Sequence, residues 1–199
     1  MQAKNLTVRR MVESAILVAL ATVLSIFKID MPMGGGLTVC SMLPLVVLSH
    51  RWGWKWGAVS ALVYSVLQLL LGLDNVGYAA AGGMAMAVGC VVLDYIVAYF
   101  VIGFSGIFDG PGKNHRAAMA IGIAVTFFLR FLCHFITGFW IWNALWPNEF
   151  GMTGLVYSAA YNGWYMAAEL AVTEIVAMLL FAPLKRFFTG QDIGRYPGE

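Results

Sequence analysis

The chain has very few charged residues for its size. Asp, Glu, Lys and Arg make up 11% of its 199 residues, 61% are hydrophobic, and the mean hydropathy is +0.80. A soluble domain of this length has too much surface to cover with so few charges, and it would be expected to aggregate. The scarcity of charge therefore excludes the ordinary soluble classes and indicates a single transmembrane domain over 1–199.

Cysteine and histidine are also scarce, with three of each. Cys40, Cys90 and Cys133 are far apart in apolar surroundings, without the short spacings of a metal site or a redox pair, so we interpret them as packing residues. His134 is the only histidine inside a predicted helix, and the sequence has no HExxH-type ligand motif. We therefore expect no metal, no cofactor and no catalytic residue.

Long apolar runs divide the chain into six predicted membrane-spanning helices. Their expected bounds are 11–29, 37–49, 57–73, 78–108, 117–142 and 155–184. The second helix would rise only about 20 Å, against a hydrocarbon core of about 30 Å, and Pro44 lies near its middle. We expect this helix to be tilted, irregular or shielded by its neighbours.

The distribution of basic residues predicts the orientation, because short cytoplasmic loops are enriched in Lys and Arg. The predicted outer loops carry Asp30, Asp74 and Glu149, and Lys28 is the one basic residue near them. The first apolar run follows a basic segment and has no small-residue cleavage site, so it is expected to remain as an anchor. Both termini are therefore predicted to be cytoplasmic. The residues assigned to the inner side are Lys4, Arg9, Arg10, Arg51, Lys55, Lys113, Arg116, Lys185, Arg186 and Arg195.

The first outer loop contains Pro32 and the glycines at 34–36. Glycine gives the backbone unusual freedom, and both residue types favour turns. Two interpretations stay open at this point: a lid over an outward-facing pocket, or a plain turn.

Polar side chains recur in the last two predicted helices. Arg130, His134 and Trp142 are separated by multiples of four residues and share one helix face. Tyr157 and Asn162 lie about one to two turns below the outer start of the sixth helix, at a depth similar to that of His134. A charge near the bilayer centre costs roughly 2.5 to 3.5 kcal/mol, so polar groups there usually serve a partner, a cavity or a ligand.

The acidic residues at this depth need partners. Asp94, followed by Tyr95, lies near the middle of the fourth helix, and Arg130 is the candidate counter-ion for Asp94, Glu169 or Glu174. Two interpretations stay open: such pairs only hold helices together, or they belong to a ligand site. An acid, an imidazole, an amide and aromatic rings at one depth suit a polar aromatic ligand, and a cationic ring would gain most from stacking.

The first helix carries small residues at close spacing. Ala15 and Ala19 are one turn apart, which lets another helix approach closely. An intramolecular contact is the default interpretation, and contact with a partner protein is the alternative.

Five segments together resemble the thiamin-specific substrate-binding (S) components of energy-coupling-factor (ECF) vitamin transporters. They are AILVALA in the first helix, MLPLVVLS in the second, LDYIVAYF in the fourth, RFLCHFITGFWIW in the fifth and VYSAAYN in the sixth. The similarity runs nearly end to end. It implies an all-α integral membrane protein with six transmembrane helices and the ECF S-component fold, which captures thiamin with high affinity at the outer face of the bacterial plasma membrane.

The resemblance also implies partners. A shared transmembrane subunit and two cytoplasmic ATPase subunits would power uptake, and the sequence has no GxxxxGK[ST] loop with which to hydrolyse ATP itself. The family's alanine motif contacts the transmembrane subunit and falls on Ala15 and Ala19. The other expected partners are thiamin and the lipid bilayer. No nucleic-acid partner is expected.

The family's binding residues can be carried over position by position. Thiamin has a cationic thiazolium and an aminopyrimidine, so the acid is expected to accept a hydrogen bond from the amino group and to balance the charge. The tryptophan and histidine would provide stacking surfaces, and the tyrosine and asparagine of the sixth helix would hold ring nitrogens or the hydroxyethyl arm. The positions are Asp94, Tyr95, His134, Trp142, Tyr157 and Asn162.

Two departures from the family bear on the pocket. Some members carry a tryptophan in the first outer loop that closes over the ligand, where this chain has the glycines at 34–36. Asp94 stands where another member has a glutamate, which shortens the reach of the carboxylate by one methylene.

Three alternatives remain open from the sequence. The chain could be an S component for another vitamin or heterocycle, which would share the fold. It could be a membrane-embedded enzyme that uses His134, Asp94 and Glu169 as acid, base or metal ligands. It could also be a purely structural assembly subunit, which would bind no small molecule.

Overall fold

The structure is a computed structural model and describes residues 2–31 and 35–195. Two short antiparallel strands form a hairpin after the first helix, with Lys28 opposite Thr38, and a 3₁₀ turn, Gln191–Ile193, lies near the carboxyl end. The strands are β1 (Lys28–Asp30) and β2 (Gly36–Thr38). The helices are α1 (Gln2–Ile26), α2 (Leu43–Trp52), α3 (Trp54–Leu71), α4 (Leu73–Ala81), α5 (Met84–Phe108), α6 (His115–Leu145) and α7 (Gly154–Phe188).

The prediction of a helical membrane fold is confirmed, with the hairpin as an addition. Among the described residues, four helical segments are long and apolar enough to cross a membrane: α3, α5, α6 and Gly154–Ile193. The count of six spans and the cytoplasmic location of both termini stay predictions.

The second helix begins later than predicted, which moves its proline from the middle of the helix to the first turn. Helix α2 begins at Leu43, so Pro44 lies in its first turn, where a proline nitrogen costs no intrahelical bond. All residues from Leu43 to Arg51 are buried. The short helix is therefore shielded by its neighbours, as one of the three expectations proposed.

The predicted fourth helix is divided in two. Helix α4 ends at Ala81, and α5 starts at Met84 after Gly83, whose φ of 114° is a conformation that side-chain-bearing residues rarely adopt. Inside α5 the segment Cys90–Val97 is π-helical. Such a stretch changes the direction of the side chains that follow it, and π-helical turns often occur at functional sites.

Small residues bring α2, α3 and α5 into close contact. A Cβ at Gly57 would lie 2.6 Å from the carbonyl oxygen of Gly103, so neither position has room for a side chain. Ser49 donates a hydrogen bond to the same oxygen (2.6 Å) and accepts one from the Gly106 amide (2.8 Å). The close packing of α2 and α3 on α5 thus holds in place the helix that carries the polar residues.

At the end of the molecule away from the hairpin, Arg51 ties α1 and α2 to the carboxyl-terminal turn. Its side chain is fully buried, with Nε 2.6 Å from Oε2 of Glu13 and Nη1 2.6 Å from Oδ1 of Asp192. A buried guanidinium needs this many partners to offset its desolvation.

Asp109, in the loop between α5 and α6, places a fully buried carboxylate between two imidazoles. Its Oδ2 lies 3.2 Å from Nδ1 of His50, and its Oδ1 lies 2.6 Å from Nδ1 of His115. Burial acts to raise the pKa of Asp109, but the hydrogen bonds and charges of the two imidazoles outweigh burial, so the pKa lies below its ordinary value. The ionised form of Asp109 therefore stabilises the folded state.

Replacing Asp109 with alanine is expected to lower the free energy of unfolding by about 1 to 3 kcal/mol at neutral pH, because two buried imidazole N–H groups would lose their acceptor. Since the folded pKa is depressed, this stabilisation is present above the unfolded pKa and disappears as the pH falls below about 4. Thermal unfolding in detergent between pH 7 and pH 3 measures the effect, with the exposed Asp74→Ala as control. An equal difference between wild type and Asp109→Ala at both pH values would contradict this expectation.

Candidate functional site

A cavity of about 810 Å³ lies between the helices at the hairpin end of the molecule. It is lined by residues of α1, the hairpin, the turn before α2, and α3 to α7. This volume falls within the range of about 300 to 1,000 Å³ that is typical of small-molecule sites. Its wall is rich in aromatic rings with polar tips: Tyr64, Tyr78, Tyr95, Tyr99, Trp142, Trp146, Tyr161 and Tyr165.

Asp94 is the central polar residue of this cavity. It is 7% exposed, and its carboxylate is held by three side chains of α6. Oδ1 lies 3.0 Å from Nδ1 of His134 and accepts a hydrogen bond from the Thr137 hydroxyl, while Oδ2 accepts one from Nε1 of Trp142 at 2.8 Å. In the described chain Asp94 has no Lys or Arg partner, so its negative charge is balanced by no fixed cation.

His134 is oriented by this contact. Its Nδ1 faces Oδ1 of Asp94 at 3.0 Å. Nε2 is buried and has no partner among the residues that the structure describes. Asp94 therefore fixes the orientation of the imidazole.

Trp142 lies at the end of a second π-helical stretch, Gly138–Trp142 of α6. The indole stacks on Trp146, with ring centroids 5.8 Å apart and planes within 16°. The two rings form a flat aromatic surface beside the carboxylate, which is the combination that favours a cationic or heteroaromatic ligand.

Arg130 and Glu169 form a second polar pair beside the cavity. Nη1 of Arg130 lies 2.6 Å from Oε2 of Glu169, and both side chains are buried. The other carboxylate oxygen accepts a hydrogen bond from the hydroxyl of Thr38 on β2, and the guanidinium lies 5.1 Å from the ring centre of Tyr99. Glu169, rather than Asp94 or Glu174, is thus the counter-ion of Arg130.

The hairpin forms part of the cavity wall. Lys28, Gly35 and Thr38 all line the cavity. Gly35 has a φ of 77°, and a Cβ there would lie 2.5 Å from Cδ1 of Tyr165, so the hairpin packs directly on a ring of α7. Pro32 and Gly34, which belong to the predicted mobile loop, lie outside the described residues.

Four of the six predicted binding residues line the cavity: Asp94, Tyr95, His134 and Trp142. The hydroxyl of Tyr95 donates to the carbonyl oxygen of Gly72 (3.1 Å) and accepts from the side-chain amide of Asn75 (2.9 Å). Tyr95 is therefore a wall residue whose hydroxyl is already occupied on the side of α4.

The other two predicted residues, Asn162 and Tyr157, do not line the cavity. Asn162 is 0% exposed, and its amide donates to the carbonyl oxygens of His134 (3.1 Å) and Ser158 (3.0 Å). Tyr157 stacks on Phe150, with ring centroids 5.8 Å apart. A direct contact of Tyr157 or Asn162 with a ligand stays a prediction.

Tyr165 shares a stripe of the sixth helix with Asn162 and Glu169, as the sequence spacing predicts, and it lines the cavity. Sequence reasoning missed three other tyrosines of the wall, which are Tyr161 of α7, Tyr64 of α3 and Tyr99 of α5. The available signal was a phenol inside an apolar helix, where a hydroxyl needs a partner. That signal is weak in single residues and becomes strong only when the helices are assembled.

The residues near the alanines of α1 differ in their exposure. Ala15 and Ala19 are exposed, whereas Ala21 is fully buried and Val18 is 6% exposed. The intramolecular contact that was the default interpretation therefore leaves Ala15 and Ala19 uncovered. Over the described residues, no group of three or more His, Cys, Asp or Glu side chains is placed to hold a metal ion.

Each of three comparisons with known proteins gives a match that spans most of the chain. A sequence model of the family described as thiamine transporter protein matches residues 11–189. The thiamine transporter ThiT of Bacillus subtilis (strain 168) is 30% identical over 197 residues, covering 93% of this chain and 95% of the relative. The solved structure of ThiT from Listeria monocytogenes has a similar fold, with a TM-score of 0.73 at 22% identity, over 92% of this chain and 98% of that chain.

Proposed function

The chain belongs to the thiamine transporter protein family, and from that premise we propose that it is the thiamin-capturing S component of an ATP-driven ECF uptake transporter. The resemblance noted in the sequence is confirmed at the level of this family. Its named relative is a transporter, which supports a binding subunit rather than an enzyme. In this proposal the chain lies in the bacterial plasma membrane with both termini in the cytoplasm.

One observation carries the assignment of the ligand site. Asp94 is a buried carboxylate beside a cavity, and no Lys or Arg of the described chain balances its charge. A buried carboxylate that is hydrogen-bonded but has no Lys or Arg counter-ion still favours a cation beside it, so this place suits a cationic ligand. The permanently cationic thiazolium of thiamin supplies that charge.

The surrounding residues fit the rest of the ligand. Asp94 also accepts a hydrogen bond from the amino group of the pyrimidine, and His134 lines the cavity beside it. Trp142 and Trp146 provide the stacking surface, which is worth about 0.5 to 2 kcal/mol for a cation. In this proposal Tyr157 and Asn162 support the cavity wall from behind. A shift of α7 on thiamin binding would bring them into contact with the ligand.

The hairpin acts as the lid in this proposal. It lies on Tyr165 through Gly35 and is bonded to Glu169 through Thr38. Glycine fits at position 35, where a side chain would collide with the ring of Tyr165. In this proposal Gly35 therefore helps to close the cavity, a role that a tryptophan has in another family member. Entry of thiamin would then require the Thr38–Glu169 bond to open.

The exposed alanines of α1 are the proposed docking site for the transmembrane subunit, to which two ATPase subunits would attach. Small side chains let a partner helix approach closely. Ala15→Trp combined with Ala19→Trp is expected to reduce copurification with the other subunits at least about tenfold and to leave thiamin binding unchanged. The matched control is Leu179→Trp, an equally exposed position on α7. Loss of assembly in both variants would contradict a specific role for the alanines.

A titration of the purified protein in detergent tests the proposed function. Thiamin is expected to quench tryptophan fluorescence saturably, while riboflavin and biotin leave it unchanged. Trp142→Ala should lose most of the quenching, and Trp164→Ala, at an exposed site on α7, should retain it. Absence of any thiamin response, together with absence of binding heat, would contradict the proposal, and a response to riboflavin or biotin instead would support an S component for another vitamin.

A further inference from the structure

A second cavity, of about 560 Å³, lies at the end of the molecule away from the hairpin, beside the last turns of α7. Two bends in the chain form it. Pro183 interrupts the helix, and Leu184 has non-helical torsion angles (φ −108°, ψ 16°). Gly190, with a φ of 69°, then turns the chain back, and Asp192 lines the same cavity. This cavity between the kink and the turn is named here the kink cavity.

Positive charge is in excess at the kink cavity. Lys185 and Arg186 line it and are exposed, and neither has an acidic partner in the part of the chain that the structure describes. Asp192 is the one acid among the described lining residues, and other cations bind it. Its Oδ1 lies 2.6 Å from Nη1 of Arg51, and its Oδ2 lies 2.5 Å from Nη2 of Arg9. The charges of Lys185 and Arg186 are therefore left unbalanced by the fold.

The position along α7 places these charges at the edge of the apolar span. Between Gly154 and Leu184 the helix has two charged residues, both acidic, and Lys185 and Arg186 are its first basic residues. Basic side chains that end an apolar span lie at the level of the lipid headgroups. The kink cavity is thus located where a headgroup can reach it.

Apolar side chains continue from the kink cavity along the span. Leu184 lines the cavity and is exposed, and Leu180, one turn further into the span, is exposed as well. An acyl chain can lie on this surface while its headgroup occupies the cavity. A dissolved anion would gain nothing from the apolar surface, so the combination favours a lipid.

The donors of the kink cavity define the headgroup. Lys185 and Arg186 have only N–H donors, and a guanidinium matches two oxygens of one phosphate. A zwitterionic headgroup would bring its own ammonium beside this excess positive charge, whereas a headgroup with a net negative charge would not. The volume of the cavity lies within the range of about 300 to 1,000 Å³ that is typical of small-molecule sites, which is enough for a glycerophosphate group.

We propose that the kink cavity binds the headgroup phosphate of an anionic phospholipid through Lys185 and Arg186, with an acyl chain along Leu184 and Leu180. The bound lipid holds the carboxyl-terminal turn at the bilayer surface. Because Arg51 joins this turn to α1 and α2, the lipid also stabilises the packing of these helices. The inference depends on the location in a membrane and not on the ligand of the larger cavity.

Native mass spectrometry of the full-length protein, delipidated in detergent, tests the site. The probes are phosphatidylglycerol and phosphatidylcholine with the same acyl chains. The wild type is expected to bind one phosphatidylglycerol at least about tenfold more tightly than phosphatidylcholine. Lys185→Gln combined with Arg186→Gln should reduce this preference to about twofold or less, because both charged contacts are lost. The matched control, Lys113→Gln with Arg116→Gln, removes the same charge at exposed residues and should keep the preference.

A variant that fills the cavity separates a specific site from the general attraction of a basic surface to anionic lipid. Ala182 is an exposed residue of the cavity lining. Ala182→Trp keeps every charge and places an indole in the cavity, so it should weaken phosphatidylglycerol binding at least about fivefold. Ala171→Trp, at an exposed alanine outside the cavity, should not.

The results that would overturn the site are distinct. Equal loss of the lipid preference in the Lys113 and Arg116 control, or an unchanged preference in either cavity variant, would show that the kink cavity does not select the lipid. Displacement of phosphatidylglycerol by inorganic phosphate would assign the cavity to a dissolved anion. Cavity variants that bind the lipid normally and no longer copurify with other subunits would assign it to a protein partner.

Thiamin titration of the same variants checks that they are folded. Their Kd for thiamin is expected to equal that of the wild type, because the larger cavity lies at the other end of the molecule. A lipid preference lost only together with thiamin binding would indicate misfolding and overturn the assignment. Failure of the wild type to bind thiamin would overturn the proposed function and leave the lipid site in place.

Discussion

Replacing Arg130 with methionine is expected to lower the free energy of unfolding by about 3 to 5 kcal/mol, the largest loss of stability that the structure predicts for a single change. Arg130 and Glu169 are 5% and 1% exposed. Removing the guanidinium leaves the carboxylate buried, charged and bonded only to the hydroxyl of Thr38. Thermal unfolding in detergent measures the loss, with Arg186→Met, at an exposed position of α7, as the matched control.

The double variant Arg130→Met with Glu169→Leu distinguishes a broken ion pair from damaged packing. Replacing both partners of a buried pair with apolar residues of similar volume is often neutral or stabilising, so the double variant should recover most of the stability that the single variant loses. A double variant as unstable as Arg130→Met alone would show that the loss does not come from the unpaired charge.

Replacing Asp94 with asparagine is expected to weaken thiamin binding at least about tenfold, because the ligand loses a charge-assisted acceptor and the negative charge that no Lys or Arg of the described residues balances. Asparagine keeps the shape of the side chain, and its single carbonyl oxygen can still accept either from Trp142 or from Thr137. Isothermal calorimetry gives the change in Kd. The matched control is Asp74→Asn, an exposed acid on α4, which should bind thiamin like the wild type.

A second replacement at the same position separates charge from reach. Asp94→Glu retains the carboxylate and restores the side-chain length found in another family member. It should bind thiamin more tightly than Asp94→Asn does. An affinity in Asp94→Asn equal to that of the wild type would remove the carboxylate from the binding mechanism.

The convergence of Asp94, His134 and Trp142 could be predicted because it depends on helix geometry alone. Residues separated by multiples of four share a face, and depth in the membrane follows from residue number at 1.5 Å per residue. The sequence did not predict the two π-helical stretches, Cys90–Val97 and Gly138–Trp142. They changed the side-chain directions locally without separating the three residues.

The position of Asn162 shows where helix geometry is insufficient. Gly138 lets α7 approach so closely that a Cβ there would lie 2.6 Å from the side-chain amide of Asn162. The asparagine is thereby held against the backbone of α6 at His134 and Ser158 of α7, behind the cavity wall. The depth that the sequence predicts for Asn162 did not determine the direction of its side chain.

The hairpin and the partner of Arg130 could not be predicted for a different reason. A segment with proline and glycines predicts a turn, but pairing of Lys28–Asp30 with Gly36–Thr38 depends on the chain returning beside α1. Likewise, three acids were equally available to Arg130 in the sequence, and only the packing of α6 on α7 selected Glu169. Both features are products of tertiary contacts.

A crystal structure of the thiamin complex is the most direct measurement of the proposed binding site. The expected result is density for one thiamin in the cavity, with its amino nitrogen within hydrogen-bond distance of the Asp94 carboxylate and its rings beside Trp142. Thiamin bound outside this cavity, or inside it with no contact to Asp94, would contradict the assignment.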